Sequence, residues 1–201
     1  MKGVILISGN GSNLQSLIDS SVEIKLDIAC VISNVSSAFG LQRAKQAGII
    51  GHVLDNNQFP SRDEFDSKLS ELIDTYSPEI IILAGFMRIL TPDFTKKYLG
   101  KIINIHPSLL PKFQGLHTHD RALNAKEKKH GVSVHFVTEE LDGGPIIAQS
   151  VVDILESDDA DSLARRVLSE EHKIFPKVVS WYTHGRLKLH NNQASLDNTP
   201  I

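Results

Sequence analysis

Apolar positions along the first half of the chain alternate between two patterns. Short, nearly continuous apolar runs end in Gly, Asn or Pro: Val4–Ser8, Asp27–Ser33 and Ile80–Ala84. Runs of this kind are strands buried on both faces, as in a parallel sheet. Between them the pattern changes to helical spacing. Asn13–Ser20 and Phe39–Ala47 are predicted helices, the second closed by Gly48. Ser61-Arg62-Asp63-Glu64 reads as a capping box, and Phe65, Leu69, Leu72, Ile73 and Tyr76 then fall on one helical face. Ser77-Pro78 breaks that helix. Thr91-Pro92 starts another, with cap and first-turn proline in the favoured order.

The second half changes character. Val132–Val137 and Ile146–Val152 are strand-like runs joined by the turn region Thr138–Pro145, which predicts an antiparallel pair. A long helical segment runs from about Asp159 to Tyr182, with Pro176 expected to kink or split it. The residues from Asn191 onward are polar and expected to be loose. The implied class is α/β: a Rossmann-like, mostly parallel, twisted sheet flanked by helices, with an antiparallel strand pair towards the C-terminus. One domain is expected over residues 1–190, followed by a polar tail, 191–201.

Composition narrows the function classes. Lys and Arg total 21 against 24 Asp and Glu, a net charge of -3, so no basic face suggests nucleic-acid binding. The apolar stretch Val4–Ile7 is too short for a signal peptide or a membrane span. Cys30 is the only cysteine and sits in an apolar run, which reads as an inert buried thiol. The cytoplasm is the default location.

Two places carry candidate chemistry. Ser8-Gly9-Asn10-Gly11-Ser12-Asn13 lies between the first strand and the first helix. Its glycines allow close backbone approach, and the helix start faces an anion, so it is either a phosphate cradle or a tight turn. It is not the dinucleotide fingerprint, since Leu14 stands where the third glycine belongs, and no Gly-Lys-Ser/Thr follows for a P-loop. The second place is the run Ile102-Ile103-Asn104-Ile105, which ends at His106-Pro107. Period-2 alternation puts Asn104 and His106 on one side of a strand end. Asp142 precedes a Gly-Gly-Pro turn downstream. An amide, an imidazole and a carboxylate can form an oxyanion site with a proton relay, the carboxylate favouring the charged imidazole. Asp142 taken alone reads better as a turn residue, and only the combination points to chemistry.

At these residues the chain resembles a known family. SGNGSN at the start, AGFMRIL at Ala84–Leu90, NIHPSLLP at Asn104–Pro111, GLHTH at Gly115–His119 and HGVSVHFVTEELDGGP at His130–Pro145 follow in the order found in the phosphoribosylglycinamide formyltransferases. These folate-dependent enzymes, also called glycinamide ribonucleotide transformylases, serve purine synthesis. The resemblance implies the formyltransferase fold, with 10-formyltetrahydrofolate as co-substrate and glycinamide ribonucleotide as acceptor. It implies no metal, no nucleic-acid or membrane partner, and a monomer or homodimer.

Position by position, it implies Asn104, His106 and Asp142 as the catalytic trio. Gly11, Ser12 and Asn13 would hold the ribonucleotide phosphate. Met87, Arg88, Ile89 and Leu90 would line the pterin pocket, with Thr138, Glu139, Glu140 and Leu141 closing its other side. The N-terminal half would then serve the ribonucleotide, and the C-terminal half folate and catalysis. Glu171 falls on the apolar helix face of Leu163, Ala164, Val167, Leu168, Ile174 and Phe175, where a carboxylate needs a partner. The wheel alone suggests an internal salt bridge; the resemblance implies a contact to the ribonucleotide amine. Leu168 departs from the family pattern, which has a polar residue facing the nucleotide there.

Other readings stay open. His106, His117, His119, His130 and His135 are dense enough to suggest a metal site, though no cysteine joins them. His119 and His135 are better read as supports for the active-site loops. Ser108 lacks the context of a nucleophile and suits a loop cap. The functional alternatives are a non-catalytic ribonucleotide-binding module, or another transferase or hydrolase using 10-formyltetrahydrofolate.

Overall fold

The computed structural model describes residues 1–201. The chain runs β1 (Lys2–Ile7), α1 (Ser12–Ser20), β2 (Asp27–Ser33), α2 (Phe39–Gln46), β3 (Gly51–Val53), α3 (Arg62–Tyr76), β4 (Ile80–Leu83), α4 (Pro92–Lys97), β5 (Ile102–His106), α5 (Thr118–Asn124), β6 (Lys129–Phe136), β7 (Ile146–Asp153) and α6 (Ala160–Thr183). It ends in β8 (Leu187–His190), β9 (Gln193–Leu196) and β10 (Thr199–Pro200). The main sheet has the order β3-β2-β1-β4-β5-β6-β7. The five strands from β3 to β5 are parallel, and β6 and β7 are antiparallel to their neighbours. This is the mixed α/β sheet expected from the apolar runs.

The all-apolar strands explain the layering. Alternate side chains of β1 and β4 enter two cores, one on each face of the sheet. One core, of 26 buried residues, joins Ile5, Ile7, Ile80 and Ile82 to Leu14 and Leu17 of α1 and to Leu163, Val167, Phe175 and Val178 of α6. The other, of 14, joins Val4, Leu6, Ile81 and Leu83 to Phe65, Leu69 and Ile73 of α3 and Phe94 of α4. The larger share of apolar burial therefore lies under α6. That burial holds α6 as one helix through Pro176, which neither splits nor ends it. A reciprocal box caps α6: Asp159 accepts from Ser162 N at 2.7 Å, and the Ser162 hydroxyl accepts from Asp159 N at 3.0 Å. At α3 only half of the expected box forms, Ser61 accepting from Glu64 N at 3.1 Å.

One expectation is corrected, and one element was not foreseen. The polar residues after Asn191 are not loose. β8, β9 and β10 form a three-stranded antiparallel sheet, and Leu187 and Ala194 are buried in the larger core. Its hairpins turn at Asn191-Asn192 and Asp197-Asn198, all four with positive φ, the geometry that Asn and Asp tolerate in two-residue turns. Second, Thr118–Asn124 is a helix, α5, that its short length hid from the periodicity. The Thr118 hydroxyl anchors it by donating to the Pro107 carbonyl at 2.7 Å. No helix is long and apolar enough to cross a membrane.

Candidate active site

β5 lies next to the central strand β4 of the mixed sheet, parallel to β4 and antiparallel to β6. Ligands in open α/β sheets lie beyond strand carboxyl ends such as those of β4 and β5, close to the reversal of strand order, here between β1 and β4. A cavity of about 440 Å³ opens there. All eight residues expected for folate, Met87 to Leu90 and Thr138 to Leu141, line it together with Asn104, His106 and Asp142. The division of the chain into a ribonucleotide half and a folate half is therefore too simple. Residues 83–90 belong to the first half and face this cavity, while Glu171 from the second half reaches the glycine-rich loop.

Asn104 and His106 share a face of β5, as alternation requires. His106 is buried, and its Nε2–H donates to the Phe113 carbonyl at 2.9 Å. A carbonyl only accepts, so Nε2 carries a hydrogen and Nδ1 is the nitrogen left for chemistry. Nδ1 lies 3.4 Å from Asp142 Oδ2. A proton on Nδ1 makes that contact attractive, and the length keeps the proton from being locked in a strong hydrogen bond. Asp142 Oδ2 also accepts from Gly115 N at 2.9 Å. The carboxylate is thus oriented from two sides before any ligand arrives.

The turn explains how an aspartate is aimed inward. Asp142 has φ +49°, a left-handed conformation that Asp tolerates better than most residues. Gly144 lies so close to β6 that a Cβ there would collide with the Phe136 carbonyl. The turn is pressed onto the strand, and only glycine permits it.

His135 proves more central than a loop support. It pairs with Asn104 across the β5–β6 ladder. Its Nδ1–H donates to the Phe136 carbonyl at 2.8 Å, which leaves Nε2 to accept from Asn104 Nδ2 at 3.1 Å. Nε2 is also 3.7 Å from Asp142 Oδ1. Burial pushes the His135 pKa down, although the Phe136 carbonyl and Asp142 pull the other way. A neutral His135 orients the Asn104 amide and leaves its second N–H for the cavity. The available signal was the antiparallel pairing, which opposes residue 104 to residue 135.

The remaining histidines form no metal centre. His119 Nδ1 and His130 Nε2 lie 3.2 Å apart, packed edge to face. Burial lowers both pKa values, that of His130 to about 4; the His106 charge adds to both and the His119 charge to that of His130, while Asp120 opposes the shift of His119. His117 is exposed, and no group of three or more His, Cys, Asp or Glu side chains is arranged to hold a metal. Ser108 is the loop cap expected of it, its buried hydroxyl donating to the Lys112 carbonyl at 2.6 Å.

The glycine-rich loop lies apart from this cavity. Gly11 has φ +74°, and Ser12 opens α1. Asn13 is buried and donates to Glu171 Oε2 at 2.5 Å. No cation pairs with Glu171, so the internal salt bridge suggested by the helical wheel does not exist. Burial raises the Glu171 pKa, against the smaller lowering from Asn13. Asn13 Oδ1 is buried without a partner. A buried carboxyl and an orphaned amide oxygen both suit an N–H-bearing ligand.

Known proteins match this sequence and fold. The sequence profile of the formyl transferase family matches residues 1–179. The chain belongs to the formyl transferase family. This formyl transferase is 53% identical to the phosphoribosylglycinamide formyltransferase of Escherichia coli, over 98% of its own length and 94% of the relative's. It is 47% identical to the enzyme of the same name from Haemophilus influenzae, over 100% and 95%. Among solved structures, the phosphoribosylglycinamide formyltransferase of Coxiella burnetii superposes with a TM-score of 0.96 at 50% identity, covering 100% of this formyl transferase and 95% of that chain.

Proposed function

We propose that this chain transfers a formyl group from 10-formyltetrahydrofolate to the amino group of glycinamide ribonucleotide, yielding formylglycinamide ribonucleotide and tetrahydrofolate. The observation that carries the reading is the His106–Asp142 contact beside Asn104, at the base of a cavity large enough for a pterin, in a chain this similar to enzymes of that name.

The residues divide the work as follows. Met87, Arg88, Ile89 and Leu90 meet the pterin on one side and Thr138, Glu139, Glu140 and Leu141 on the other. Gly11, Ser12 and Asn13 hold the ribonucleotide phosphate, and Glu171 accepts from its amine. The neutral amine attacks the formyl carbon. The carbonyl oxygen becomes an oxyanion, which receives hydrogen bonds from His106 Nδ1–H and the free N–H of Asn104. Asp142 stabilises the charged imidazole and guides the proton from the amine to N10 as the N10–carbon bond breaks. Holding both substrates in fixed relation on one protein supplies the effective concentration that makes a covalent enzyme intermediate unnecessary. A buried lone thiol, pushed up to about 12 by burial, suits a reducing compartment, and the cytoplasm is the proposed location.

The test is formyl transfer measured beside a control without acceptor. Acceptor-dependent release of tetrahydrofolate is the expected result. Release without acceptor would identify a hydrolase instead, and folate binding with no release would mean a different acceptor.

A further inference from the structure

We infer that Arg43 is a positioning residue for the ribonucleotide phosphate: it clasps the glycine-rich loop into its binding shape and adds positive charge beside it. The inference rests on the reading of Gly11–Asn13 as the phosphate cradle.

The loop is built against α2. Gly40 N donates to the Gly9 carbonyl at 3.1 Å. A Cβ on Gly11 would come within 2.6 Å of Gly40 Cα, and one on Gly40 would collide with Ile7. Two backbones therefore meet with no side chain between them. From the next turn of α2, Arg43 reaches back over the loop. Its Nε donates to the Asn10 carbonyl at 2.9 Å, and Nη2 donates to Asn10 Oδ1 at 3.0 Å. Nη1 donates to Gln15 Oε1 at 3.3 Å. One guanidinium thus holds main chain and side chain of the loop residue that precedes Gly11, together with the first turn of α1. The Phe39 ring covers its face at 4.9 Å.

A simpler role would be compensation of the carbonyl dipole in the last turn of α2. The geometry argues against it, since all three hydrogen bonds of Arg43 go to Asn10 and Gln15 and none to α2 carbonyls. No ion pair neutralises Arg43, in contrast to Arg166 with Asp158 and Arg186 with Asp197. The acid in the same cleft, Asp19, is bonded to Gln15 rather than to Arg43. His172 lines that cleft too, and burial with the Arg43 charge lowers its pKa, which favours the neutral ring. The guanidinium charge is therefore left for an anion at the start of α1. A glycine-rich loop is otherwise costly to order, and fixing it in advance removes that cost from binding.

The experiment compares KM for glycinamide ribonucleotide with KM for the same compound lacking its 5′-phosphate, in wild type, Arg43→Gln and Arg43→Lys, over a range of salt. For Arg43→Gln, KM for the ribonucleotide should rise about tenfold or more, from lost charge-assisted hydrogen bonds and lost field. Its kcat should change much less, KM for the phosphate-free compound should stay near the wild-type value, and the salt dependence of ribonucleotide KM should flatten. Arg43→Lys should fall between, keeping the charge but not the fork. An unchanged ribonucleotide KM, or an equal rise for both compounds, would overturn the inference. Wild type that does not discriminate between the compounds would overturn the phosphate-cradle reading itself, and Arg43 with it. If Arg43→Gln fails to fold, Asn10→Ala removes the other half of the clasp from an exposed loop and must show the same phosphate-selective rise.

Discussion

The glycine-rich loop and the β5 terminus sit on one sheet but are stabilised by opposite means. The loop is contiguous in sequence, shaped by backbone contact with Gly40 and clasped by Arg43. Its one buried acid, Glu171, has an amide for a partner. The β5 terminus gathers Asn104, His106, Gly115, His135 and Asp142 from four separate segments, and burial drives His135 towards the neutral form. The loop needs only the local contacts of α2 to hold its shape, because the N–H groups at the start of α1 point outward anyway. A relay of three side-chain types needs a rigid frame.

The largest effects should come from the relay. His106→Ala or Asn104→Ala should each reduce single-turnover formyl transfer about a hundredfold to a thousandfold, with thermal unfolding little changed. Turnover above roughly a tenth of wild type in a folded His106→Ala protein would remove the relay from the mechanism.

Next comes the frame. Gly144→Ala drives a methyl into the Phe136 carbonyl and should cost on the order of 2–3 kcal/mol in urea unfolding, with turnover falling because Asp142 moves with the turn. Gly11→Ala, strained by its positive φ, should instead raise KM for the ribonucleotide far more than it lowers kcat. Equal kinetic signatures for the two would erase the distinction between the regions.

Two buried groups, His130 on β6 and Glu171 beside the loop, should also respond to pH in opposite senses. The folded pKa of His130 is depressed to about 4 from 6.5, so its contribution to stability is present above 6.5 and is lost as pH falls towards 4. The Glu171 pKa is raised above 4.5, so its contribution is present below 4.5 and is lost as pH rises. Against wild type, His130→Phe should gain relative stability as pH is lowered through that window, and Glu171→Gln as pH is raised above 4.5. Chemical denaturation at several pH values gives both curves; parallel curves would contradict the assignment. The smallest effect belongs to the rim, where Lys96 and Glu139 form an exposed pair at 3.7 Å. Glu139→Gln should shift stability by less than about 1 kcal/mol, a difference that salt abolishes.

Much of this was legible without coordinates because the signals are local. Ile80–Leu83 and Asp27–Ser33 are apolar enough to be strands in any context, and Asn104 and His106 share a face by alternation alone. What went unread was short or non-local. α5 has too few residues for a periodic pattern, and the polar strands β8 to β10 are set by hairpin turns and by two inward residues, Leu187 and Ala194. Arg43 drew no reading from the sequence, since the residue it clasps is 33 positions away.

By itself, then, the sequence determined the class of sheet, the glycine-rich loop, the strand end bearing Asn104 and His106, and the turn bearing Asp142. Each is written in neighbouring residues through side-chain period, backbone freedom or a missing N–H. Only the tertiary structure decided that Asp142 faces His106, that His135 orients Asn104, and that Glu171 meets an amide rather than a cation. Those outcomes depend on burial and on distances between remote segments, which a periodic pattern does not encode.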